Sequence, residues 1–320
     1  MAKITGTNRK NKLIGTAGND LIRGLGGDDT IKGGSGNDKL YGGKGNDQIK
    51  GGDGNDQLYG EAGDDTLNGE AGDDTLVGGL GVDTMNGGDG NDTIVAGPGA
   101  DTIDGGADTM VVDFDVGYAG GDWLSYADAT SGVTVDLAFN IFAGGALGDS
   151  VTGIEHVLGA SFADALYADT VIGGILDGGA GSDFISTVGG GDFWLIRGGL
   201  GHDVLQCGAG SQDWAQVQYD KGLDRIEGFD PDGFSDNDFL YVSAAEFNLA
   251  TASANFLGAG ELEVGTNHQA TAASTRLIFE TDTRILWADK DGSGSDYSSV
   301  AIAVIDDIAT IAANDIWVIV

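Results

Sequence analysis

The chain has 320 residues, of which 59 are glycine and two are proline, and its formal net charge is −36. Glycine at this level lies far outside globular usage and points to a repeat architecture rather than a count of ordinary domains. The charge argues against nucleic acid and anionic membrane surfaces as general partners, and for cations.

From the N-terminus, Met1 to Lys10 lacks the apolar core of a secretory signal peptide. From Gly15 to Asp104 the chain then runs through ten nine-residue units without insertion or deletion. Position six is always aspartate: Asp20, Asp29, Asp38, Asp47, Asp56, Asp65, Asp74, Asp83, Asp92 and Asp101. Position four is always glycine: Gly18, Gly27, Gly36, Gly45, Gly54, Gly63, Gly72, Gly81, Gly90 and Gly99. Position eight is always large and apolar, from Ile22 to Ile103, and position one is glycine except at Ala96. Residues 6–14 read as a terminal unit with Asn11 in place of aspartate, and residues 105–111 as an eleventh unit shortened by two.

The six Gly- and Asn/Asp-rich positions favour tight turns, and the three that follow alternate polar, apolar, polar like a half-buried strand. Two units close one flattened coil, so each unit lies over the next but one at sheet spacing, about 4.8 Å. The aspartates then sort into two columns, Asp20 to Asp92 and Asp29 to Asp101. Stacked carboxylates repel one another wherever water is partly excluded, and a divalent cation in each gap removes that cost. Calcium suits the gaps, because it accepts six to eight oxygen ligands in irregular geometry, carbonyls included. One apolar side chain per nine ordered residues is little burial to set against the backbone entropy, so the metal-free block is expected to be loosely ordered or unfolded.

The unit Gly51-Gly52-Asp53-Gly54-Asn55-Asp56-Gln57-Leu58-Tyr59 resembles the calcium-binding nonapeptide of RTX proteins. That resemblance implies an all-β fold, a right-handed parallel β-roll or β-helix solenoid with a C-terminal β-rich cap. It also implies calcium ligation by the ten aspartates with carbonyls of the glycine turns. Five aspartates per column leave four gaps, giving about eight calcium ions in this block.

Beyond residue 111 the strict period stops. The segments 120–126 and 130–137, and 153–159 with Asp164 and Leu166, resemble sequence in the serralysin-type C-terminal region. A degraded second block follows at 178–185 and 198–205, where a few more calcium ions are expected around Asp164, Asp183 and Asp203. A hairpin is expected from 276–280 and 284–288. Residues 289–296 read as a polar turn rather than an EF-hand loop. Asp315 followed by Ile316 to Val320 resembles the C-terminal signal of type I secretion substrates, with a last core strand as the alternative. The expected segments are thus a cap at 1–14, the calcium roll at 15–111, irregular rungs at 112–177, the second block at 178–218, and a cap carrying the secretion signal at 219–320.

None of His156, His202 and His268 lies in an HExxH motif, and no GxSxG elbow occurs, so neither a zinc protease nor an α/β-hydrolase lipase is expected. His202 stands at the variable fifth position and reads as a solvated turn residue. The tryptophans read as core, with a ligand surface as the alternative. No transmembrane segment is expected, since Asp306, Asp307 and Asp315 interrupt the most apolar stretch. The expectation is an extracellular calcium-binding protein, exported by the type I apparatus to an unknown partner and without a catalytic site. The alternative is a small secreted enzyme or membrane-active effector with its site in residues 111–275.

Overall fold

The computed structural model describes residues 1–107, 111–113, 117–119, 121–168, 173–188, 194–208, 213–216, 222–229, 238–243, 262–265, 277–288, 300–306, 308 and 316–319. Among these, regular structure is all strand. Contacts divide the chain into two units, Met1–Asp113 with Tyr118–Ser161, and Phe114–Gly117 with Phe162–Val320.

The first unit is a parallel β-roll. Its strands alternate between two sheets. On one side lie β1 (Lys3–Thr5), β3 (Leu21–Gly26), β5 (Lys39–Lys44), β7 (Gln57–Ala62), β9 (Thr75–Leu80) and β11 (Thr93–Val95). On the other lie β2 (Lys12–Ile14), β4 (Thr30–Ser35), β6 (Gln48–Asp53), β8 (Thr66–Ala71), β10 (Thr84–Asp89) and β12 (Thr102–Ala107). The register is 18 residues, two units per coil: Ile22 pairs with Leu40, Leu40 with Leu58 and Leu58 with Leu76. Every position-eight side chain from Ile22 to Ile103 is at most 1% exposed, so these ten residues form the core between the sheets.

Most strands are six residues long, not three. Pairing continues past the apolar triplet through positions one to three, and only positions four to six turn. A left-handed residue at position two makes the corner without ending the ladder, as at Gly52 with φ of 123°. Leu25, Glu61 and Glu70 occupy the same corner without being glycine, at φ of 81°, 74° and 79°.

The eleventh unit is interrupted rather than shortened. The strand Trp123–Ser125 pairs with β11 and is followed in the sheet by His156–Leu158, while Ser150–Thr152 pairs with β12. Between them an antiparallel hairpin joins Val133–Asp136 to Ile141–Gly144.

In the second unit, Gly174–Asp177, Trp194–Arg197, Asp213–Gln216 and Phe239–Ser243 stack in parallel. Ala165–Tyr167, Phe184–Ser186, Val204–Gln206 and Asp224–Glu227 do the same. The expected hairpin forms from Leu277–Glu280 and Ile285–Ala288, with Arg284 at φ of 58° inside the turn; Arg276 lies outside the described residues. Ile316–Ile319 is a strand paired in parallel with Phe239–Ser243. His268 and residues 289–296 lie outside the described residues. Trp194 and Trp214 are core residues, and Cys207 is a buried free thiol whose pKa burial pushes up.

Candidate metal centre

Position six is the last residue of the turn and precedes the first outward strand residue, so its side chain is drawn beneath the edge of the roll. The ten aspartates are at most 2% exposed. One carboxylate oxygen of each bonds to the neighbouring rung. The Asp20 N–H donates to Asp38 Oδ1 at 2.7 Å, that of Asp38 to Asp56 at 2.7 Å, that of Asp56 to Asp74 at 2.7 Å and that of Asp74 to Asp92 at 2.8 Å. The other column runs identically from Asp29 through Asp47, Asp65 and Asp83 to Asp101, at 2.6 to 2.8 Å. The columns are therefore hydrogen-bonded ladders as well as lines of charge. A second, exposed ladder at position five has the opposite polarity: the Asn37 N–H donates back to Asn19 Oδ1 at 3.1 Å, and that of Asp64 to Asn46 Oδ1 at 3.2 Å.

The second carboxylate oxygen is where the ladder stays open. Oδ2 of Asp29, Asp38, Asp47, Asp56, Asp65, Asp74, Asp83 and Asp101 is buried and receives no hydrogen bond. Each of these oxygens except that of Asp101 lies over the position-one glycine of its own unit. A methyl group on Gly60 would come within 3.0 Å of both Asp65 Oδ2 and the Gly78 carbonyl oxygen, and Gly33, Gly42, Gly51 and Gly69 are hemmed in likewise. Ala96, fully buried, carries that methyl in the tenth unit. The result is a row of small cradles, each with a carboxylate oxygen and a backbone carbonyl on its wall. Among the described residues no three His, Cys, Asp or Glu side chains converge on one point. A metal held here would take its oxygens from one column and the turns around it. That donor set is hard and irregular, which fits calcium and does not suit metals that select imidazole or thiolate.

Burial raises the carboxyl pKa values, the ladder N–H bonds lower them, and the neighbouring ladder carboxylates raise them again. The outcome is about 6 for Asp47 and Asp56 and about 7 for Asp65, Asp74 and Asp101. At the open end Asp20 is instead held below its ordinary value, chiefly by the Ala2 N–H and the Thr16 hydroxyl.

The expected position-four glycines stack directly on one another and turn the chain: Gly54 has φ of 119°, and a methyl there would strike Gly36. With the exception of Gly99, beside Asp101 Oδ1, they do not crowd the aspartate oxygens. The position-one glycines do, and sequence reasoning passed them over.

It also missed where the ladders go next. Asp92 donates to Asp122 Oδ1 at 2.7 Å across 30 residues, and Asp101 to Asp149 Oδ1 at 2.9 Å across 48. In the second unit the three aspartates expected from the sequence, Asp164, Asp183 and Asp203, do form one ladder, at 2.8 and 2.9 Å, which runs on to the unexpected Asp224 at 3.1 Å; Asp213 with Asp238, also unexpected, forms another at 3.0 Å. The Gly178–Asp183–Gly198 cradle repeats the first unit's geometry, and Asp183, with a pKa of about 7, again has a buried Oδ2 without a donor. The legible signal was short: aspartate, any residue, then an apolar one, as in Asp122-Trp123-Leu124 and Asp149-Ser150-Val151. His202 is exposed but bonded, its Nδ1 accepting the Leu223 N–H at 2.9 Å as the position-five Asn side chains accept theirs.

At three places a hydroxyl meets the second oxygen. Thr16 Oγ1 donates to Asp20 Oδ2 at 2.8 Å, buried Tyr126 to Asp149 Oδ2 at 2.8 Å, and Thr187 Oγ1 to Asp213 Oδ2 at 2.6 Å.

The fold and this double ladder of carboxylates over glycine cradles define a calcium-binding parallel β-roll. The family model of the RTX calcium-binding nonapeptide repeat matches residues 5–40, 14–49, 41–76, 50–85 and 77–109. Over residues 5–109 the chain is therefore built of RTX calcium-binding repeats. No curated protein matches it.

Proposed function

We propose that the chain is a secreted protein that folds on binding calcium outside the cell, has no catalytic domain, and serves a structural or interaction role. One observation carries this reading: eight buried carboxylate oxygens in the first block lack a donor, and seven of them lie over a glycine cradle. A buried carboxylate oxygen without a partner is costly. In the aqueous, calcium-free chain those carboxylates are solvated, so folding without metal must strip them of water. Calcium supplies the missing partner and couples binding to folding.

On this reading eight orphaned oxygens imply about eight ions in the first block. The site at Asp101 is the weakest, since Ala96 fills its cradle, and Asp183 marks at least one further site in the second unit. The hydroxyls of Thr16 and Tyr126 close the two columns without metal. Secretion by the type I apparatus is the route that RTX repeats suggest, because a chain unfolded at cytosolic calcium is exportable and coils at the higher calcium outside.

Circular dichroism during a calcium titration tests the coupling. Strand signal should appear with calcium and vanish in excess chelator, and full strand content in chelator would overturn the proposal. Hydrolytic activity of the calcium-loaded chain on esters, peptides or glycosides would favour the enzymatic alternative.

A further inference from the structure

The two columns of turns provide an internal comparison, because both obey one repeat and a systematic difference between them is not required by the fold. Along the Asp20–Asp92 column, turn positions three and five stay small or polar and end in Asp89 and Asn91. Along the Asp29–Asp101 column they begin alike, with Lys44, Asn46 and Asp64, and then become apolar: first Leu80 and Val82, next Pro98 and Ala100. Leu80 is 61% exposed and Val82 54%. The stripe is continuous: the Gly81 N–H donates to the Pro98 carbonyl at 3.5 Å, and a methyl on Gly148 would meet the Ala100 Cβ at 2.8 Å. Leu147, beside Gly148, is 67% exposed. The stripe also interrupts a ladder. From Asn19 to Asn91 every Asn or Asp at position five accepts the N–H of the next rung, Asp64 taking that of Val82 at 3.0 Å. Val82 has no side-chain oxygen to offer Ala100 in turn. Single exposed leucines are ordinary; an apolar run along one edge that costs a ladder bond is not.

The charge of the roll is divided along its axis. Residues 1–50 hold nine of the fifteen Lys and Arg, and none occurs between Lys50 and Arg197. Of the five acids in residues 1–50, Asp20, Asp29, Asp38 and Asp47 are buried in the ladders, which leaves Asp28. The first rung is basic and apolar together. Ile4 and Leu13 stand in the core positions yet are only half-buried, Ile14 is 56% exposed, and Lys3 and Lys12 share their strands, with no acid in residues 1–19. Among the described residues β1 pairs only with β3, and β2 only with β4. Lysines on such edge strands disfavour the pairing of two like ends, but that need does not call for an exposed Ile14. Around the apolar stripe the charge has the opposite sign. Glu61 and Asp64 lie one rung before Leu80 and Val82, and Asp128 lines the same cavity as Pro98 and Leu147.

We propose that these two surfaces bind each other between copies of this chain, the basic first rung of one against the acid-flanked apolar stripe of the next. Each surface sets exposed apolar side chains among charges of one sign, and the signs are opposite. Any other single occupant fits only one of them. An anionic bilayer or polymer would match the first rung and be repelled by Glu61, Asp64 and Asp128, and a basic peptide would do the reverse. A second copy satisfies both. The contact is heterologous, since two different patches meet, so a pair still has one of each free and association runs on past the dimer. Few side chains as large as Leu80, Val82 and Leu147 take part and the charges stay at the rim. The contact is therefore of the weak class, formed at high chain concentration and loosened by salt.

The inference goes beyond calcium binding and needs only the folded roll. Sedimentation velocity of the calcium-loaded full chain over a concentration series tests it. We expect the sedimentation coefficient to rise with concentration at low salt and to stay at the monomer value in about 1 M sodium chloride, where screening acts within about 3 Å. Leu80→Ser/Val82→Asn introduces residues that the repeat itself uses at Ser35 and Asn37. It should weaken association about tenfold with unchanged circular dichroism in calcium. Lys3→Glu/Lys12→Glu should weaken it likewise; if that change alters the dichroism, Arg9→Glu/Lys10→Glu in the first turn takes its place. The two variants mixed keep one intact contact, so they should form one-to-one pairs and nothing larger. A monomer at every concentration in low salt, association that survives either double variant, or a mixture no larger than its parts would each overturn the proposal. So would binding to phosphatidylcholine vesicles that needs Leu80 and Val82 in a chain that stays monomeric.

Discussion

Substitutions at Asp65 separate the two duties of a ladder carboxylate. Asp65 is 2% exposed. Its Oδ1 accepts the Asp47 N–H at 2.7 Å, while its Oδ2 faces the cradle between Gly60 and Gly78. Asp65→Asn keeps an oxygen for the Asp47 N–H and loses the charge and the second oxygen. Asp65→Ala loses both, and leaves a buried backbone N–H without an acceptor. That orphan costs about 1–3 kcal/mol, so at saturating calcium Ala should be less stable than Asn by roughly five- to a hundredfold in the folding constant. Asn in turn should fall below the unaltered chain, because one calcium ligand is missing. Urea unfolding followed by circular dichroism measures both gaps. Equal stabilities for Asn and Ala would refute the capping duty, and an Asn variant as stable as the unaltered chain, with its full complement of calcium, would refute the ligand duty.

In chelator, the carboxyl pKa values of about 6 for Asp47 and about 7 for Asp65, raised first by burial from 3.8, mean that the folded chain holds protons more tightly than the unfolded one. The contribution of these groups is complete below about pH 4 and lost as pH rises through 6 to 7. Calcium-free strand content should therefore grow on acidification across that window, while calcium affinity falls as protons compete; a flat profile would contradict this. Tyr126→Phe removes the donor from Asp149 Oδ2 and should raise the bound calcium count by one in native mass spectrometry, an unchanged count speaking against hydroxyl closure. Gly60→Ala, at a residue outside the left-handed region, fills one cradle as Ala96 does beside Asp101, and should weaken one calcium site, read as one ion bound with lower affinity in isothermal titration, whereas unchanged affinities would mean that the metal sits elsewhere. Leu25→Gly relieves a left-handed corner at φ of 81° and should stabilise the calcium-loaded roll by about 1 kcal/mol, read as a higher urea midpoint; a lower one would show that the Leu25 side chain contributes more than the strain costs.

How far the sequence reached follows from what a period can encode. Residues such as Ile22, Leu40 and Leu58, apolar at every ninth place, dictated both the core and the 18-residue register, because only two units per coil bring all of them inside. The same period put Asp29, Asp47 and Asp65 in one column. It could not say which oxygen of each is occupied. That depends on the Asp47 N–H lying 2.7 Å from Asp65 Oδ1, a contact set by rung stacking and corner geometry rather than by residue type. Nor could periodicity find Asp122 and Asp149. The turns before them are rebuilt and the spacing grows to 30 and 48 residues, yet the backbone returns to the same rung because the open ladder beneath offers an unpaired strand edge and an aspartate N–H in need of an acceptor. The turn edge tells the same story: Leu80 and Pro98 lie 18 residues apart and become neighbours only when the coil closes. A local repeat thus determines the rung, and the stacking of rungs decides which polar groups are satisfied within the chain and which are left open for a metal or a partner.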